Sequence, residues 1–151
     1  MKRLNAWFGA WILAVGCLGC GPSAGPPGSS ELEERKLREV GEMYRLHQEM
    51  VRKPPRSIAD FQRVGDASTR TAYSALRTGD VIVRYQATLP DTDVEPSSPE
   101  SDEVLAYGKS VPELGGPVLM LDRRIRRMTA DAFKTARLAG TEEIKKAGSS
   151  R

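Results

Sequence analysis

The first twenty residues constrain this chain more than any other segment. Lys2 and Arg3 precede an apolar run from Ala6 to Leu18, which is followed by Gly and Cys. A short basic start, an apolar middle and a small-residue end are the layout of a secretory signal peptide. The run is about 13 residues long, whereas a helix that spans the bilayer core needs about 20. We therefore expect export and removal of this segment, not a membrane-spanning helix in the mature chain.

Two cysteines at the end of the apolar run are candidates for lipid attachment. The stretch LAVGC, residues 13–17, resembles a bacterial lipobox, the sequence read by lipoprotein signal peptidase. The resemblance implies that a diacylglycerol is attached to the Cys17 thiol and that the chain is cut before it. Cys20 is the alternative, because it opens directly onto a Gly/Pro/Ser stretch. A Cys17–Cys20 disulfide in an ordinary secreted protein would close too short a loop to add much stability.

Composition divides the chain into four parts. Residues 1–19 form the signal peptide and lipobox region, and residues 20–30 contain Gly, Pro, Ser and Ala after the cysteine. Such a stretch cannot bury a core, so we predict a tether there. Residues 31–138 have the size of one small domain, and residues 139–151 are predicted to be a disordered tail.

The net charge of the mature chain excludes one class of partner. Removing Lys2 and Arg3 from the 23 Lys and Arg residues leaves 21, against 20 Asp and Glu residues. A nearly neutral domain has little general electrostatic attraction for nucleic acid. We therefore predict no nucleic-acid partner.

Periodic patterns in the domain predict an α+β fold. A capping-box sequence that starts at Ser30 and an apolar stripe at spacings of three and four predict a long amphipathic helix, which Pro54 ends. Further elements are predicted as short helices near Ile58–Phe61 and over 67–77, strands at 81–85, 104–107, 118–121 and 125–128, and a helix from Ala130 to about Leu138. We expect the helices on one face of a small, mostly antiparallel sheet of three or four strands.

Three segments together carry a family resemblance. They are KPPRSIADF at 53–61, ALRTGDVIV at 75–83, and a C-terminal run from 104 to 133 that contains a Gly-Gly turn. The chain resembles a group of small uncharacterised bacterial lipoproteins, and its C-terminal hairpin is similar to that of many prepilin-like envelope proteins. The usual hairpin has Asp-Gly where this chain has Asp122-Arg123. Since that glycine supplies a positive φ, we expect a looser turn or another turn type here. The resemblance implies a fold and a location, but no reaction.

Four arginines form the candidate contact site of the domain, namely Arg123, Arg124, Arg126 and Arg127. Guanidinium groups bind carboxylates and phosphates well, so the cluster suits an anionic envelope polymer, lipid head groups or an acidic partner. The alternative, which we favour, is that these charges protect a sheet edge from aggregation. The acidic loop at 91–103 is positioned to neutralise them within the same molecule.

No catalytic or metal-binding pattern follows the signal peptide. His47 is the only histidine and lies on the apolar stripe of the first helix, without a nominated nucleophile or orienting partner. The acidic run at 91–95 resembles the start of a calcium loop, but Pro96 and Asp102 stand where glycine and glutamate are needed. No cysteine lies beyond Cys20. We therefore predict no enzymatic activity, no cofactor and no metal.

These observations together predict a lipoprotein of the cell envelope, anchored on the outer side of the cytoplasmic membrane or in the outer membrane. We expect its domain to act as a non-enzymatic interaction or assembly module for an envelope protein or an anionic envelope polymer. A pilin or secretion-system accessory subunit is the alternative, and an envelope hydrolase that uses His47 is a weaker one. A row formed by Met43, Leu46 and Met50 is a further candidate contact, which we expect to pack on the domain's own sheet.

Overall fold

An antiparallel sheet with helices packed on it forms the centre of the structure, a computed structural model that describes residues 27–65 and 69–142. The predicted α+β class is confirmed. The signal peptide, Cys17 and Cys20 lie outside the described residues.

The predicted elements occur in the predicted order, and the structure adds a short helix between the second and third strands and two short strands after the last helix. In chain order they are α1 (Pro27–Val51), a 3₁₀ helix (Ile58–Arg63), α2 (Arg70–Thr78), β1 (Val81–Tyr85), β2 (Glu103–Gly108), α3 (Val111–Leu114), β3 (Gly116–Met120), β4 (Ile125–Met128), α4 (Ala130–Thr135), β5 (Arg137–Leu138) and β6 (Thr141–Glu142). Local chemistry sets several of these bounds. Gly79 ends α2 with a φ of 74°, and the Thr129 hydroxyl accepts a hydrogen bond from the Ala132 N–H at the start of α4.

The start of α1 differs from the prediction. The helix begins at Pro27, inside the stretch 20–30 that the composition assigns to a tether, so Ser30 is a helical residue and not its cap. The Ser30 hydroxyl instead accepts a hydrogen bond of 2.6 Å from Arg127. A proline is well placed in the first turn of a helix, because the N–H that it lacks has no partner there.

The sheet has more strands than the three or four predicted. Its order is β4-β3-β2-β1-β6, with antiparallel neighbours throughout, and β5 pairs with β2 in parallel. The four predicted strands are present: β1 and β4 have the predicted bounds, and those of β2 and β3 shift by one or two residues. The two additional strands, β5 and β6, are each two residues long. They replace the predicted end of the last helix, which stops at Thr135, and the start of the predicted disordered tail.

Helices cover both faces of the sheet, which corrects the prediction of helices on one face. On the first face, Leu37, Val40 and Tyr44 of α1 pack with α2 and with inward residues of β1 and β3. On the second face, Phe133 of α4 stacks on Tyr107 of β2, with ring centroids 4.6 Å apart, in a separate buried cluster. Strand β3, which lies between β4 and β2, is therefore buried on both faces, as its continuous apolar run predicts.

Candidate interaction surface

The missing glycine led us to expect either a looser turn or another turn type between β3 and β4, and the observed turn is tight, so the looser turn is not found. The Arg123 N–H donates to the Met120 carbonyl oxygen at 2.9 Å, and the Met120 N–H donates to the Arg124 carbonyl oxygen at 2.9 Å. Arg123 itself adopts the left-handed conformation, with a φ of 65°. A type I turn followed by one left-handed residue is a common three-residue hairpin. The arginine thus takes a conformation that costs a non-glycine residue about 1–2 kcal/mol.

The Arg123 side chain is bound where the turn meets the acidic loop. Its guanidinium lies 2.6 Å from an Asp91 carboxylate oxygen and donates to the Asp93 carbonyl oxygen at 2.6 Å. The two paired side chains are only 7% and 13% exposed. Burial alone would raise the pKa of Asp91, but the hydrogen bond from the Ser98 N–H and the ion pair with Arg123 outweigh it and lower the pKa to about 2. This ion pair fixes the loop against the hairpin.

The other three arginines of the cluster also have carboxylate partners within the molecule. They pair as Arg124 with Asp122 at 3.0 Å, Arg126 with Glu100 at 2.7 Å and Arg127 with Glu34 at 3.1 Å. This geometry agrees with neutralisation inside the molecule rather than with a free anion-binding surface. Arg127 remains 61% exposed, so its charge is still accessible to solvent.

The acidic loop uses its carboxylates for internal hydrogen bonds. Asp91 accepts from the Ser98 N–H at 2.9 Å, and Asp93 accepts from the Ser97 hydroxyl. The buried Asp122 accepts from the Ser101 N–H at 2.8 Å and from the Arg124 N–H at 3.0 Å. Within residues 27–65 and 69–142, no group of three or more His, Cys, Asp or Glu side chains is placed to hold a metal ion.

His47 lies in the core and not in a cleft. The residue is 5% exposed, and its ring meets the Phe61 ring edge-on with centroids 6.3 Å apart. Among the described residues, its Nδ1 atom has no hydrogen-bond partner. A general base needs an orienting group and a path to substrate. The packing therefore gives no support to the hydrolase hypothesis.

The apolar row on α1 is mostly internal. Met43 is fully buried in the core, Leu46 packs against the core, and Met50 is 66% exposed. One exposed methionine is an ordinary surface feature and does not form a docking surface. The expectation that the row packs on the domain itself is confirmed for Met43 and Leu46.

The arginine at position 45 on the same helix is a buried charge that sequence reasoning missed. Its side chain is 9% exposed and lies 2.5 Å from Glu42 and 2.8 Å from Glu49. The guanidinium also donates to the Thr92 carbonyl oxygen at 3.3 Å. The hydrogen bond that the Arg45 guanidinium donates to Glu42 is the main reason that the pKa of Arg45 is raised. Arg45 therefore joins α1 to the start of the acidic loop.

The outer edge of β1 is a second feature that the sequence did not indicate. On one side, β1 pairs with β2 at Val81, Ile82 and Val83. On the other side, within the described part of the chain, pairing with β6 covers only Arg84 and Tyr85. A groove of about 410 Å³ runs along this edge, lined by Leu76, Gly79, Val81, Ile82, Val83, Tyr85 and Glu142. An unpaired strand edge is a template for a further strand.

Neither a family model, nor a curated protein, nor a solved structure matches this chain. Across residues 27–65 and 69–142, none of the helices combines the length and the apolar character that crossing a membrane requires.

Proposed function

We propose that this chain is a lipoprotein of the cell envelope, and that its α+β domain is a non-enzymatic interaction or assembly module. The observation that carries the proposal is the N-terminal sequence: a basic start, an apolar run too short to span a bilayer, and Cys17 in a lipobox-like context. Cys20 is the alternative site of acylation. The anchor holds the domain at the outer side of the cytoplasmic membrane or in the outer membrane.

A short connection keeps the domain close to the membrane. Helix α1 begins at Pro27, ten residues after Cys17. A chain of that length reaches at most about 35 Å when fully extended. Arg127 contacts Ser30 and Glu34 near the start of α1, so β4 lies at the end of the domain that leads to the anchor. A diacylglycerol carries two acyl chains, which together give stable anchoring, and the exposed Arg127 beside the anchor adds a weak contact with the membrane surface.

The internal ion pairs favour a protein partner over an anionic polymer. All four arginines of the predicted contact site are engaged by carboxylates of the same molecule. Binding an anionic polymer through them would require breaking these pairs, and breaking the buried pair of Arg123 is costly. We therefore propose that the partner is an envelope protein.

Among the described residues, no acid, base and nucleophile side chains come together at one site, and this supports the proposed non-enzymatic role. The one histidine is packed against Phe61, and Asp91 and Asp122 serve as hydrogen-bond acceptors for backbone and guanidinium groups. Acid–base catalysis needs such groups exposed to substrate with tuned pKa values. The same carboxylates here hold a loop in place.

Metabolic labelling with radioactive palmitate tests the anchor. We expect label on the wild-type chain and on a Cys20→Ser variant, and no label on Cys17→Ser. Label lost only in Cys20→Ser would assign the anchor to the alternative cysteine. An unlabelled wild-type chain, or full label on the double variant, would contradict the proposal.

Crosslinking in intact cells, followed by identification of the crosslinked protein, tests the partner. We expect an envelope protein whose recovery depends on the acylated cysteine. Recovery of a pilus or secretion-system component would support the accessory-subunit alternative. Release of a small product from an envelope substrate by the purified wild-type chain would contradict the non-enzymatic role.

A further inference from the structure

A cleft lies beside the turn that follows α1. It has a volume of about 370 Å³ and is lined by Lys53, Pro54, Arg56 and Gln86. Two cations, a carboxamide and a proline ring therefore share one concave surface. Such a surface can bind a charged group and a polar group of the same ligand.

The cations of this cleft differ from the arginines of the β3–β4 hairpin, because no carboxylate neutralises them. Among the described residues, neither Lys53 nor Arg56 makes an ion pair, and neither does the adjacent Arg52. The next acidic residue along the chain is Asp60. Its carboxylate accepts hydrogen bonds from the Arg56 N–H at 2.7 Å and the Ser57 N–H at 3.3 Å, and so serves the backbone. This part of the surface therefore keeps a net positive charge.

The backbone holds the cleft in a fixed shape. The Gln86 N–H donates to the carbonyl oxygen of the buried Pro55 at 2.8 Å, which joins the two walls. Arg52 and Gln86 have positive φ values of 59° and 61°, although both side chains are exposed and are not held there by the core. Strained conformations of this kind concentrate at binding sites. Fixed walls also lower the entropy that binding a ligand costs.

We propose that this cleft binds an acidic segment of the partner protein, a step that rests on the proposed function. Ammonium and guanidinium groups such as those of Lys53 and Arg56 form charge-assisted hydrogen bonds with carboxylates. The Gln86 carboxamide offers a donor and an acceptor, as a peptide group does, and its side chain makes no hydrogen bond to another described residue. The cleft thus matches both the side chains and the backbone of an acidic peptide.

The place of the cleft in the domain favours a protein over a lipid surface. Helix α1 runs for 25 residues from Pro27 to Val51, a length of about 36 Å at about 1.5 Å per residue. The proposed anchor precedes Pro27, so the cleft lies at the end of α1 that is remote from the anchor. A polyanion is bound through many cations along its length, whereas two cations line this cleft. A short acidic segment fits this arrangement better than a charged polymer.

Fluorescence anisotropy with a dye-labelled peptide EAEAE tests the inference on the full mature chain, acylated and held in a non-ionic detergent. We expect wild type to bind the peptide, with an affinity that falls as salt is added. A Lys53→Gln/Arg56→Gln variant is expected to bind about fivefold more weakly, because two partly screened charge pairs are lost.

The matched control is Arg70→Gln/Arg77→Gln, which removes two exposed arginines from α2 and changes the net charge by the same amount. We expect this variant to bind EAEAE within about twofold of wild type. All four substituted side chains are exposed, so both variants are expected to keep the unfolding temperature of wild type.

Three results would overturn the inference. The first is equal binding of EAEAE by the two double variants, and the second is equal binding of EAEAE and its neutral analogue QAQAQ by wild type. The third is a phosphate oligomer of the same charge that binds more tightly than EAEAE and loses the same factor in Lys53→Gln/Arg56→Gln. That result would assign the cleft to an anionic polymer.

Crosslinking in intact cells separates this inference from the proposed function. A photoreactive residue in place of Gln86 lies in the cleft, and one in place of Arg77 lies on α2. We expect the position of Gln86 to capture an envelope protein, with a yield that drops when Lys53→Gln/Arg56→Gln is added. An unchanged yield would overturn the role of the cleft and leave the proposed function intact. If no position captures a protein, the proposed function is contradicted, and the peptide titration still decides what the cleft binds.

Discussion

The Gln48 carboxamide hydrogen-bonds both backbone groups of Leu89, as a neighbouring strand would. Its Nε2 atom donates to the Leu89 carbonyl oxygen at 3.2 Å, and its Oε1 atom accepts from the Leu89 N–H at 2.9 Å. One helical turn earlier, the Tyr44 hydroxyl donates to the Ala87 carbonyl oxygen at 2.9 Å and accepts from the Ala87 N–H at 3.1 Å. Residues four apart share a helix face, as residues two apart share a strand face. The chain after β1 is therefore bound to α1 by side chains.

Replacing Gln48 by alanine is expected to destabilise the domain by about 1–3 kcal/mol, because the backbone polar groups of the buried Leu89 lose their partners. Chemical denaturation of the purified domain measures the change. Gln62→Ala is the control, since Gln62 is exposed on the 3₁₀ helix and is expected to change the free energy of unfolding by less than about 0.5 kcal/mol. Equal effects of the two substitutions would contradict the assignment.

Arg123 and Arg126 belong to the same cluster but are expected to differ in their contribution to stability. Arg123→Ala leaves the nearly buried Asp91 without its cation, which costs about 3 kcal/mol. Arg126→Ala breaks a pair with Glu100 whose side chains are 36% and 75% exposed, and costs about 0–1 kcal/mol. Denaturation midpoints of the two variants give the comparison. Equal losses of stability in the two variants would show that the buried Arg123–Asp91 pair contributes no more than the exposed Arg126–Glu100 pair.

Two substitutions of Arg123, the left-handed residue of the turn, distinguish the cost of backbone strain from the contribution of the ion pair. Arg123→Gly removes the same ion pair as Arg123→Ala but adopts a φ of 65° without strain. We expect the glycine variant to be about 1 kcal/mol more stable than the alanine variant. A glycine variant no more stable than the alanine variant would contradict the strain at this turn.

The Asp91 carboxyl is expected to make the domain sensitive to acid. Its pKa is about 2 in the folded chain, below the ordinary aspartate value of 3.8. A lowered folded-state pKa adds stability that is complete above the unfolded-state value and is lost as the pH falls toward the folded-state value. We expect a contribution of roughly 1–2 kcal/mol at pH 7 that shrinks between about pH 5 and pH 2.

The matched variant for this effect is Asp91→Asn, which keeps the shape of the side chain but does not titrate. The difference in unfolding free energy between wild type and Asp91→Asn is expected to decrease as the pH falls through that window. A difference that stays constant from pH 7 to pH 2 would contradict the lowered pKa of Asp91.

Gly140 is expected to be required for β6 to reach β1. Gly140→Ala forces a Cβ into the Tyr85 carbonyl oxygen in addition to a positive φ, so β6 cannot pair as observed. Gly79→Ala is the control: it has a similar φ of 74° but no atom within 4 Å of the added Cβ, and should cost about 1 kcal/mol. Hydrogen exchange at Tyr85 is expected to accelerate only in Gly140→Ala. Normal protection there in Gly140→Ala would refute the requirement.

Sequence patterns predicted the regular part of the fold and missed what long-range contacts decide. The β-branched run at 81–85 forms β1, and residues 118–120 of the apolar run lie in β3, because such side chains pack well on a half-buried sheet. Strands β5 and β6 have no period to detect, since two residues show no alternation. They form because backbone groups far away in the sequence pair with this part of the chain. The Ala139 N–H, for example, donates to the Val104 carbonyl oxygen.

The candidate site was also predicted only in part, because some of its contacts join residues that are far apart in the sequence. The sequence revealed four arginines beside an acidic loop, but not that Arg127 would meet Glu34, 93 residues earlier in the chain. It also could not show that, among the described residues, β6 pairs with only Arg84 and Tyr85 on the outer side of β1, because an edge depends on which strands lie next to it. Cys17 and Cys20 are the reverse case, since the lipid attachment that we propose for them rests on the sequence alone and both residues lie outside the described part of the chain.

Mass spectrometry of the chain purified from its native membrane tests the central claim most directly. The account predicts a mature protein that begins at Cys17, or at Cys20 as the alternative, and carries the added mass of a diacylglycerol and fatty acid on that residue. A protein that retains Met1 and has two unmodified thiols would contradict it.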